Sequence, residues 1–131
     1  MDALDEIGLM REEFFIDYVD IEWGLRASAK GYHLLGVCTA KMEHQLGEDP
    51  LQFFGKKYPC RSPLRHYYLF RNGVRLYCET LAPLNWKIVD GFRLLLKYGA
   101  YALFAKPRHH HFFMMTKGIL HGLLGRMGKF T

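Results

Sequence analysis

A chain of 131 residues, half of them apolar and 15% aromatic, is long enough for one domain with a real core, too short for a two-domain enzyme, and too apolar for disorder. Its three cysteines are an odd set without a C-x-x-C pair and no leader pattern opens the chain, which points away from secretion and toward a reducing, cytoplasmic setting. The net charge of +5 conceals a split: residues 1–50 carry 4 Lys/Arg against 11 Asp/Glu, and residues 51–131 carry 14 against 2, so an acidic section precedes a basic one suited to an anionic partner.

The acidic stretch "FFIDYVDIEW", Phe14 to Trp23, reads as a helix start. Asp17 is the expected cap, with Asp20 three residues on, and a helix follows from about Tyr18 to Lys30 with Ile21, Leu25 and Ala29 on one face. Glu22 and Arg26 stand four apart in the favourable acid-first order, and Gly31 supplies a left-handed stop. Tyr32 to Val37 is short, apolar and bounded by glycine, which predicts a buried strand. Thr39 to His44 is expected as a further extended piece or turn. Gly47-Glu48-Asp49-Pro50 is a loop by its breakers, inside a wider break at about 45–61.

Ser62-Pro63 predicts an N-cap and first turn, with a helix running to about Glu79. Asn85 is the expected cap of a second, from Trp86 to about Ala105, stopped by Pro107. A third, broken by glycines, covers His111 to Leu124. No segment is a clean apolar run of spanning length, because Ile88 to Ala105 contains Asp90, Arg93 and Lys97. The expected chain is mostly helical with one or two short strands, divided into sections 1–50 and 51–131.

Candidate chemistry follows from charge and position. A carboxylate in a first helical turn, Asp20 above all, can be aimed into a cleft as a base, although such acids are more often caps. His44 suits a divalent metal only if carboxylates join it from elsewhere. His109-His110-His111 has no spaced metal-binding partner. Arg65, Arg71 and Arg75, interleaved with Tyr67, Tyr68 and Tyr77, suit phosphate or pyrophosphate, or are simply a solvated helix face. No nucleic-acid-binding pattern accompanies the basic charge. The apolar blocks flanked by Lys/Arg from Arg93 onward fit a membrane surface, another part of the protein or a twin subunit in a homo-oligomer.

The segment from Arg11 to Glu48 resembles the carboxyl-terminal part of the catalytic domain of family-two glycosyltransferases, especially the bacterial rhamnosyltransferase group. The resemblance rests on Asp17, Asp20, Glu22, Arg26, Lys30-Gly31-Tyr32 and His44-Gln45-Leu46-Gly47. It continues more softly through "SPLRHYYLFRNGVRLY" and "KGILHGLLGRMGK".

What the resemblance implies is an α/β parent fold of the GT-A type and inverting transfer to a cell-surface polysaccharide or polyprenyl-diphosphate-linked acceptor. The donor would be dTDP-L-rhamnose. Asp20 would be the base, with Asp17 and Glu22 beside it; Arg26, Arg65 and Arg71 would meet acceptor or phosphate; His44 would join a Mn or Mg site. The commoner family form places Glu and Asp side by side, whereas Val19 precedes Asp20 here, so the choice between Asp20 and Asp17 stays open. The sequence contains no D-x-D, and the expectation is therefore a carboxyl-terminal portion that is inactive alone, cytoplasmic and peripheral on the inner membrane face. The competing expectation is a non-catalytic module that binds a membrane or partner.

Overall fold

The computed structural model describes residues 2–42, 51–53, 55–58 and 61–131. Helix α1 (Asp2–Ile7) is followed by a single 3-10 turn (Glu12–Phe14) and helix α2 (Val19–Ala29). Two short strands, β1 (Leu51–Phe53) and β2 (Lys56–Tyr58), pair antiparallel with Leu51 opposite Tyr58. Three long helices complete the chain: α3 (Pro63–Cys78), α4 (Leu84–Phe104) and α5 (Arg108–Leu123). The chain is thus mostly helical, as expected.

Several local signals act as their chemistry dictates. The Ser62 hydroxyl accepts from the Arg65 N–H at 3.3 Å, and Pro63 occupies the first helical position of α3, where its missing N–H costs nothing. At the end of α2, Gly31 takes φ +86°. Its N–H bonds Ser28 O at 3.0 Å, and the Tyr32 N–H bonds Ala27 O at 3.1 Å, the paired bonds of a Schellman stop.

Other expectations are overturned. Residues 32–37 form no strand and are not buried: Leu35 is 88% exposed and Val37 67%. A strand needs an edge to take its N–H and C=O groups, and among the described residues the two strands pair only with each other. Turn residues 38 and 39 follow, while the loop expected at Gly47 to Pro50 lies outside the described residues. Asn85 does not cap α4, which begins at Leu84 with Pro83 in the cap position. In α2 the buried positions are Glu22, Gly24 and Ala27, while Ile21 is 40% exposed and Ala29 is also exposed.

The glycines of the last helix do not break it. Gly118 and Gly122 lie one turn apart on the face of α5 that meets α3, and a Cβ built on Gly118 would fall 2.4 Å from Tyr67 O. One on Gly122 would fall 2.6 Å from Arg71 O. Missing side chains let the two backbones approach, and that contact outweighs the poor helix propensity of glycine.

Around this contact lies the core of Phe14, Tyr18, Leu69, Phe70, Leu76, Leu94 and Met115. Tyr67, Tyr68 and Met114 form a second apolar cluster. Phe14 and Tyr18 come from the acidic section, so the segment that carries the acids is anchored in the core by its aromatics.

Candidate functional site

The acids of "FFIDYVDIEW" sit on an unusual stretch of backbone. Phe15, Asp17 and Tyr18 have φ of 62°, 60° and 64°, left-handed values that cost side-chain-bearing residues of order 1 kcal/mol or more each. The expected capping by Asp17 and Asp20 does not form: Tyr18 takes the cap position of α2, and no side chain caps it. The left-handed backbone turns the Tyr18 ring into the core, where its hydroxyl donates to Asp90 at 2.7 Å. Tyr77 donates to the same oxygen at 2.6 Å. Burial, and then the bond to Asp90, raises the Tyr18 phenol far above its ordinary range, so it stays a neutral donor.

Two neighbours on α3 hold this loop. Asn72 is fully buried, and its amide nitrogen donates to Phe14 O at 2.8 Å, Ile16 O at 2.7 Å and Asp17 O at 2.8 Å. Arg71, 1% exposed, donates to Glu13 O and Phe14 O at 3.1 Å each, to Gly128 O at 2.5 Å and to the Asn72 side-chain oxygen at 2.9 Å. The carbonyls of an irregular loop must find donors once buried, and Arg71-Asn72 provides them. Arg71, expected at a phosphate, is therefore out of reach of any external anion.

The three acids have different surroundings. Asp17 accepts from Arg61 and, at 3.3 Å, from Arg65, one guanidinium for each carboxylate oxygen. Glu22, only 1% exposed, pairs with Arg26 at 3.1 Å and lies 3.8 Å from Arg11. Arg26 also donates to Ile7 O at 2.9 Å and Leu9 O at 2.8 Å, tying α1 to α2. Asp20 is exposed in the first turn of α2, and no side-chain bond or ion pair reaches it among the described residues. It alone can receive a proton from outside without giving up an existing partner.

Arg65 is still partly open, at 37% side-chain exposure, although it leans on Asp17. Arg75 pairs with Glu79 at 3.3 Å, which also receives Arg11 at 2.9 Å. His44, the expected metal ligand, lies outside the described residues. Among the described residues no three His, Cys, Asp or Glu side chains converge as a metal site. Two of the three motif carboxylates already face arginines, and a lone Asp20 does not make the oxygen-rich shell that Mn²⁺ or Mg²⁺ takes. The residues described here do not fit the implied ion.

Sequence reasoning missed a buried histidine pair. His66 and His111, from α3 and α5, are 0% and 2% exposed with their Nδ1 atoms 2.8 Å apart. The His66 ring stacks on Tyr101 at 4.0 Å. One ring must donate and the other accept, so the contact excludes a doubly charged pair. Burial first, then His111, Arg61 and Lys97, lowers His66 to about 3. The unfolded imidazole takes up its proton below about pH 6.5, whereas the folded one does not until about 3. Its contribution to stability is therefore whole above about pH 6.5 and lost progressively as pH falls toward 3. Urea unfolding at about pH 7 and about pH 4 should show this loss, and His66→Gln should flatten the slope between them.

A half-open cleft of about 350 Å³ is lined by Tyr67, Lys117, His121, Arg126 and Lys129, among others. No motif acid lines it. The His121 imidazole, 2.7 Å from the Tyr67 hydroxyl, is lowered by burial and by Arg126, Lys117 and Arg71.

Comparison with known proteins adds one relative. Over 83 residues the chain is 37% identical to the dTDP-rhamnosyl transferase RfbF of Shigella flexneri. The chain is related to a rhamnosyltransferase. The match takes in 63% of this chain but 28% of RfbF, so the chain spans under a third of the relative it matches. No family model matches, and no solved structure matches. Of the motif acids, Asp17 is held by Arg61 and Arg65 and Glu22 by Arg26.

Proposed function

We propose that the chain carries the acceptor-side part of an inverting rhamnosyltransferase, with Asp20 as the general base. The observation that carries this reading is the contrast among the three acids. Asp17 and Glu22 face arginines, while Asp20 is open and mounted on the first turn of a helix. A base must reach the proton that it removes, and a helix end braced from below is a rigid mount. Similarity to RfbF supports the choice of sugar.

In the proposed reaction the Asp20 carboxylate takes the proton of an acceptor hydroxyl as that oxygen bonds to the anomeric carbon. The bond from that carbon to the nucleoside diphosphate breaks on the opposite side, which inverts the centre. The donor is dTDP-L-rhamnose, and the acceptor is a cell-surface glycan or its polyprenyl-diphosphate-linked precursor. Asp17 with Arg61 and Arg65, and Glu22 with Arg26, keep the helix start in place. The parent fold is an α/β domain of the GT-A type, and no step here passes through a metal.

The test uses Asp20→Asn in the rhamnosyltransferase polypeptide that includes the donor-binding portion. Transfer should fall by roughly a hundredfold to ten-thousandfold, the usual scale for a general base. Binding of dTDP-L-rhamnose by calorimetry and the thermal midpoint should stay as they were. Asp17→Asn, by contrast, should lower the midpoint because it leaves Arg61 and Arg65 facing each other. Near-normal transfer by Asp20→Asn would sink the assignment.

A further inference from the structure

Helix α4 packs inward through Asp90, Leu94, Tyr98 and Tyr101. Its opposite side is a single apolar face: Leu84, Ile88, Phe92, Leu95, Leu96 and Leu103 all point into solvent, with Leu84 73%, Phe92 62% and Leu95 66% exposed. The helix has 21 residues, about 30 Å at 1.5 Å per residue. On helical spacing these six positions fall within one wedge that contains no charged residue. A surface helix of a soluble domain normally has this arrangement reversed.

The charge around the wedge selects what covers it. Arg93 and Lys97 run along one edge, and Lys106 and Arg108 stand beyond the far end, all four exposed. From Thr80 to Thr131 there are eight Lys/Arg and a single acid. That acid, Asp90, is turned inward under the hydroxyls of Tyr18 and Tyr77. A second copy of the same face would set Arg93 and Lys97 against their own kind. Phospholipid phosphates would neutralise them while the acyl region took the apolar side chains. Among the described residues no helix is long and apolar enough to cross a membrane, so the helix lies along the surface.

We propose that α4 is a docking helix for an anionic phospholipid membrane, lying in the interface plane with Phe92 and its apolar neighbours inserted and Arg93 and Lys97 at headgroup level. The inference rests on the face itself and holds whatever reaction the acidic loop serves.

The test is flotation of the full 131-residue chain with vesicles of phosphatidylcholine alone or with phosphatidylglycerol added, alongside sedimentation velocity without lipid. The chain should float with phosphatidylglycerol vesicles and less with phosphatidylcholine alone. Phe92→Ser with Leu96→Ser should weaken binding roughly tenfold or more. Arg93→Gln with Lys97→Gln, which leaves the apolar face whole, should weaken it roughly fivefold per cation and flatten its salt dependence. Failure of the unaltered chain to float, or flotation of both variants equal to it, would overturn the proposal. So would a self-associated chain that Phe92→Ser with Leu96→Ser turns monomeric while vesicles are ignored, because the occupant would then be a second copy.

Discussion

Gly118→Ala is expected to destabilise the protein by about 3 kcal/mol, the upper end for overpacking a tight contact. The added methyl would fall 2.4 Å from the carbonyl oxygen of Tyr67 and 3.2 Å from the backbone nitrogen of Arg71. Both are main-chain atoms inside α3, so no side chain can swing aside, and α5 must move away as a body. That movement would pull on the Met115 and Leu76 packing and on the His66–His111 contact. Gly99 in α4 is the control, since a Cβ there meets nothing within 4 Å. Gly99→Ala should be neutral or gain up to about 1 kcal/mol from helix propensity. Urea denaturation of the two variants beside the parent checks both. A Gly118→Ala protein within about 0.5 kcal/mol of the parent would mean that the helices can separate at little cost.

What the sequence made legible was the chemistry that acts within a few residues. Ser62-Pro63 starts α3 and Gly31 stops α2 because a hydroxyl cap and a left-handed glycine satisfy neighbouring backbone groups whatever the tertiary fold does. The Glu22–Arg26 pair forms for the same local reason. Several of the failures depend on distant partners. Residues 32–37 have strand composition, but a strand forms only by pairing with another, and among the described residues the two strands pair only with each other. Asp17 has the side chain of a cap, yet Arg61 and Arg65, more than forty residues away, compete for it. Gly118 and Gly122 looked like breakers because their spacing reads as a close-contact face only once α3 is known to lie against it. Asn72 left a fainter trace: an amide beside an arginine inside an otherwise aromatic and apolar helix face is a buried polar pair awaiting carbonyls.

The same pair gives the second large effect. Asn72→Leu keeps the approximate shape of the side chain but removes the donors to Phe14 O, Ile16 O and Asp17 O and the acceptor for the Arg71 guanidinium. Arg71 still reaches Phe14 O, whereas nothing on α3 replaces Asn72 at Ile16 and Asp17. Each buried polar group left without a partner costs about 1–3 kcal/mol, so a total loss of roughly 3 kcal/mol is expected. The loop would also lose what holds Asp17 and Tyr18 in the left-handed region, and those residues should relax toward ordinary backbone angles. That relaxation turns the first turn of α2 and moves Asp20 from its mount. Asn72→Leu should therefore lower the stability of the chain and, under the proposed assignment, transfer by the polypeptide that includes the donor-binding portion, where Asp20→Asn lowers transfer alone. Hydrogen exchange separates the two effects: amides of residues 14–20 should lose protection in Asn72→Leu well before those of α5. Unchanged exchange there would show that the aromatic anchors Phe14 and Tyr18 position the acidic loop without the amide.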